Sequence, residues 1–122
     1  MNENVESSES IGRIEIAPEV LLTIVQKVVQ DVEGVRSLAP LPSDMAHFFR
    51  RSPRNEGVVL HYKENRLTFD IYVYMNPNVN LRETSQAVQV AVVEAIDKMV
   101  GIPVDAVNVH VEDVVYNQGQ TA

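Results

Sequence analysis

Residues 80–100, NLRETSQAVQVAVVEAIDKMV, place Leu81, Val88, Ala91, Val92, Ala95, Ile96 and Met99 at helical spacing, which predicts an amphipathic helix over this stretch. Asn80 followed three residues later by Glu83 reads as a capping box. Gly101, Ile102 and Pro103 supply the glycine, the apolar residue and the helix-stopping proline that end it. Opposite the apolar stripe the wheel carries Gln86 and Asp97, as a solvated face should, but also Val90 and Val93. Two valines on that face mark it as a candidate contact surface.

Upstream of this helix lie two alternating runs, Val58–Lys63 and Leu67–Met75, rich in β-branched and aromatic residues. They are joined across Glu64 and Asn65, and Asn tolerates the left-handed backbone of a tight hairpin turn. In the second run Leu67, Phe69, Ile71, Val73 and Met75 share one face, leaving Thr68, Asp70, Tyr72 and Tyr74 on the other. Downstream, Val107, Val109 and Val111 alternate with Asn108, His110 and Glu112 in a last strand. At the other end, Ile14 and Ile16 alternate with Arg13 and Glu15, predicting a first strand over residues 11–17 that feeds a helix opened by Pro18. That helix buries Leu21, Ile24, Val25, Val28 and Val32, and Gly34 and Val35 end it.

The order strand, helix, strand, strand, helix, strand predicts an α+β fold, a two-layer βαββαβ sandwich. Two helices cover one face of a four-stranded, mainly antiparallel sheet. The expected organisation is an acidic, disordered tail over residues 1–10, one domain over 11–116, and a loose tail over 117–122. Residues 36–56 read as a long basic loop inside the domain. Between Arg36 and Arg54 stand four arginines against one acid, Asp44, whereas the rest of the chain holds six bases and sixteen acids. Within that loop Met45, Phe48 and Phe49, with His47, Arg50 and Arg51 around them, form a small basic and aromatic patch.

Composition narrows the function. With 45% hydrophobic and 22% charged residues the 122-residue chain is that of an ordinary globular protein. It has no cysteine, so thiol redox chemistry and thiolate metal sites are excluded. The net charge of −7 argues against a generic phosphate-binding surface. The start, MNENVESSES, lacks the basic and then apolar order of a signal peptide, and no run spans a bilayer, so a cytoplasmic protein without a transmembrane segment is expected.

Catalytic and cofactor motifs are missing from the sequence. The five glycines are scattered, with neither G-x-G-x-x-G nor a Walker pattern, and His47, His61 and His110 fit no metal-ligand spacing. Solvated histidines, no metal, no cofactor and no catalytic residue are therefore expected. Glu112 and Asp113 are adjacent in a strand and point to opposite faces, which is no geometry for paired acid and base work. Tyr72 and Tyr74 sit two apart on the open sheet face, where RNA-recognition motifs keep base-stacking aromatics, so a single-stranded RNA-binding module is the alternative reading. The acidic body and the want of an aromatic in the first strand weigh against it.

Taken together, several segments resemble the alkaline-shock and general-stress protein family of bacteria. They are Gly12-Arg-Ile-Glu-Ile16 before a helix, Val32-Glu-Gly-Val35 closing it, Gly57-Val-Val59 opening the hairpin, the run Leu67–Tyr74, Val88-Gln89 through Met99-Val-Gly101, and Val107-Asn-Val-His-Val111. The resemblance spans about residues 11–115. It implies a non-enzymatic cytoplasmic protein tied to envelope stress or to lipid-metabolism control. Such a protein acts through a protein partner, either a small membrane protein that holds it at the membrane or a second copy of itself. The central loop differs from the glycine- and lysine-rich form of many members, carrying Pro40, Pro42, Phe48, Phe49 and arginines instead. The candidate interaction residues are Val90, Val93, Phe48, Phe49, Arg50 and Arg51.

Overall fold

The computed structural model describes residues 11–43 and 52–116. In chain order the elements are α1 (Pro18–Gln30), β1 (Val35–Leu38), β2 (Arg54–Asn55), β3 (Val58–Lys63), β4 (Arg66–Met75), α2 (Leu81–Met99) and β5 (Val104–Val114). Two helices lie on one face of a five-stranded, mainly antiparallel open sheet.

β4 is the spine of that sheet because its alternating residues make two usable faces and both of its edges are paired. β3 runs antiparallel to its first half, with Lys63 opposite Arg66 and Val58 opposite Ile71. The turn between them holds Glu64 and Asn65 at φ 52° and 64°, both left-handed, as the sequence predicts for a two-residue hairpin. β1 continues along the same edge of β4 beyond the end of β3, pairing Leu38 with Val73 and Val35 with Met75. The two short strands meet at Tyr72, whose amide donates to Gly57 O (2.7 Å) and whose carbonyl accepts from Ala39 N (2.8 Å). Only glycine fits at 57: its φ is +77°, and a Cβ there would stand 2.7 Å from Ala39 O and 2.9 Å from Tyr72 O. The other edge of β4 pairs in parallel with β5, after the chain has crossed over through α2. Among the described residues β5 pairs with no other strand.

Both helix ends of α2 form as the sequence indicates. Asn80 Oδ1 accepts the Glu83 amide at 2.9 Å, and Gly101, at φ +78°, donates to Ile96 O. The buried stripe is Thr84, Val88, Val92 and Ile96, whereas the expected core positions Leu81 and Met99, the first and last residues of the helix, stand exposed. In α1 the buried residues are Leu21, Leu22, Val25 and Val29, with Ile24 and Val32 at the rim. The stripe is turned relative to the expected one, and Val28 is only half-buried, because α1 packs sideways on α2 as well as down on the sheet.

Two expectations need correction. Residues 11–17 form no strand in the described structure; they run exposed into Pro18, with Gly12 at φ +125° and Ala17 extended. Among the described residues the strands nevertheless number five, because the segment read as a continuous loop over 36–56 contributes β1 at its start and β2 near its end. The open face therefore lacks Arg13 and Glu15.

Candidate functional site: the open sheet face and the flank of β5

On the face away from the helices, Asp70 stands in the middle of β4. Residues opposite Thr68 and Tyr72 lie diagonally beside it, and these are His61 on β3 and His110 on β5. His61 Nε2 lies 2.9 Å from Asp70 Oδ2 and His110 Nε2 lies 2.9 Å from Asp70 Oδ1. A carboxylate accepts, so the geometry assigns the Nε2 hydrogen to both imidazoles. Asp70 thus joins three strands through its two oxygens, and its side chain is only 13% exposed. Ser52 Oγ lies 3.4 Å from His61 Nδ1.

Ser52, His61 and Asp70 are the residue types of a hydrolase relay, yet the arrangement is poorly suited to one. The hydroxyl is at the outer limit of hydrogen bonding, and the carboxylate is shared with a second imidazole. Among the described residues no group of three or more His, Cys, Asp or Glu is placed to hold a metal ion.

Tyr72 lies on this face as the alternation implies, but it is buried and stacked on His110, with ring centroids 4.3 Å apart and planes 11° from parallel. A base could stack there only by displacing the imidazole. Burial, then the negative charges of Asp70 and Glu112, push the Tyr72 phenol above its ordinary value. Tyr74 is half-buried. The His61–Asp70–His110 bridge has no signature in the sequence, since each histidine reads as solitary until strand register brings both to one carboxylate.

Elsewhere, Val90 and Val93 lie on the outer face of α2, 54% and 41% exposed. Phe48, Phe49, Arg50 and Arg51, with Met45 and His47, lie outside the described residues. A recess of about 320 Å³ opens between the N-terminal half of α2 and β5, lined by Leu81, Arg82, Ser85, Gln86, Gln89, Val109 and Val111. At its rim Gln89 Nε2 donates to Val107 O at 3.0 Å, so a helix side chain satisfies a strand carbonyl. No helix among the described residues is long and apolar enough to cross a membrane.

Residues 6–116 match the model of the alkaline shock protein 23 family, the alkaline-shock protein family, described as having a cell envelope-related function. Spy1535 of Streptococcus pyogenes serotype M6 is 38% identical over 110 residues, covering 89% of this chain and 84% of the relative. YloU of Bacillus subtilis strain 168 is 22% identical over 114 residues, 91% of this chain and 95% of that one. Among solved structures, the MamM C-terminal domain variant H285A superposes with a TM-score of 0.51 at 13% identity, covering 81% of this chain and all of that one. That likeness is one of fold.

Proposed function

The chain belongs to the alkaline-shock protein family, whose function is cell envelope-related, and from that membership we propose that it is a non-enzymatic cytoplasmic protein that acts at the envelope by binding a protein partner. The observation that carries this reading is the pair Val90 and Val93, left exposed on the face of α2 that the sheet does not use. Isolated surface valines are common, but these two are one helical turn apart and form one patch. Net charge favours a protein over bare lipid as the thing bound. A chain at −7 is repelled by an anionic leaflet, so a membrane protein is the more favourable anchor.

Replacing both valines with Glu separates binding from folding, because neither side chain belongs to the core. About half of each valine is still exposed, so burying the remainder in an interface is worth roughly 0.7 kcal/mol apiece and the pair should account for about tenfold in affinity. Pull-downs from detergent-solubilised envelopes of the parent cells should show proteins held by the wild type and lost by V90E/V93E, with an unchanged thermal midpoint. A double variant that keeps every partner would rule out this face.

A further inference from the structure

One segment has the sequence of a strand and no sheet, and one strand has an edge that no described strand pairs. Residues 11–17 alternate Ile14 and Ile16 with Arg13 and Glu15, and the Arg13–Glu15 ion pair at 3.2 Å puts those two side chains on one side of an extended backbone. Ile14 is 78% exposed and Ile16 44%. β5 is eleven residues long and, among the described residues, pairs along one edge only. We propose that the arm Ile11–Ala17 of one copy adds as a strand to the outer edge of β5 in a second copy.

Three observations select this edge and this occupant. The opposite end of the sheet is β2, two exposed residues, too short to template a strand of the arm's length. Beside β5, the recess under the flank of α2 lies where the helix-side residues of an added strand would project, with half-buried Val109 and Val111 as its floor. Ile14 and Ile16, two residues apart, point to one face and match that floor. The arm runs straight into α1, which packs over β1 and β3, whereas α2 packs over β5. The second helix therefore stands between the arm's root and the outer edge of β5 in the same chain, and a second copy meets no such obstacle.

This proposal uses a different surface from Val90 and Val93, so the two can fail separately. Sedimentation equilibrium of the full chain should show concentration-dependent association, weakened about tenfold or more by Ile14→Asp with Ile16→Asp and unchanged by V90E/V93E. Should the double arm variant fold poorly, Ile14→Asp alone carries the same test, since that side chain lies almost wholly in solvent. Amide exchange supplies the second readout: Arg13 to Ile16 and Val109 to Val111 should gain protection together as protein concentration rises. A wild type monomeric at every concentration overturns the proposal, as does association that ignores the arm variants. Arm protection independent of concentration overturns it too, because the strand would then be adding to its own chain.

Discussion

Asp70 shows how one residue can matter through its neighbours on other strands. Its two oxygens hold His61 and His110, and His110 in turn lies flat on Tyr72, so four side chains from β3, β4 and β5 form one polar and aromatic patch. Tyr72 reports on that patch at alkaline pH. Its phenol keeps its proton more tightly in the folded chain than in the unfolded one, because burial and the carboxylates of Asp70 and Glu112 disfavour the phenolate. The native state then binds more protons than the unfolded state once pH passes the ordinary tyrosine value of about 10. The contribution is whole below that value and is lost as pH climbs through the raised one. Urea titrations across this range should give a stability that falls less steeply for Tyr72→Phe than for the wild type. Equal slopes would mean that Tyr72 does not hold its proton as the patch implies. None of this is legible in the sequence beyond the face on which Tyr72 lies. A period of two tells which residues share a face of one strand, but only register tells which residues of three strands become neighbours.

At the scale of the element, the parts legible in the sequence are those whose signals are local: the capped ends of α2, the left-handed pair at Glu64 and Asn65, and the two faces of β4. β1 escapes a sequence reading for a physical reason. It has four residues, begins directly after Gly34 and only five residues past the end of α1, and takes its strand geometry from β4 rather than from its own alternation. Residues 11–17 err the other way, because alternation records a capacity to pair and does not say with which chain. The junction at Gly57 tests the account of β1, since that residue lets two strands share one edge. Gly57→Ala should lower stability by about 2–4 kcal/mol, combining left-handed strain with a Cβ pressed against two carbonyl oxygens. Chemical denaturation measures this directly. A loss below about 0.5 kcal/mol, the range of ordinary surface substitutions, would show that the β1–β3 junction yields easily.

For the whole molecule, topology decides the order in which the structure opens. β4 is hydrogen-bonded to β5 on one side and to β1 and β3 on the other, and its core face is sealed by both helices through Phe69, Ile71 and Val73. The amides of Phe69, Ile71 and Val73 face β5 and are freed if it peels, whereas those of Asp70 and Tyr72 face β3 and its junction with β1, so exchange of the latter pair should require the global transition. β5 can peel from one side, β2 has two exposed residues, and the segment 11–17 has no strand partner within the described chain. In dilute solution, amide exchange should therefore be slowest at Asp70 and Tyr72, with protection on the order of 10⁴ or more for a domain of ordinary stability. Intermediate protection is expected in the middle of α2 and along β5, and almost none from Gly12 to Ala17. The ranking follows from which hydrogen bonds must break together, and it does not depend on what the protein binds. If β5 or α1 outlasted β4, the parallel β4–β5 pairing would be an independently stable unit. The sheet would then be held together by its crossover through α2 rather than by the strand at its centre.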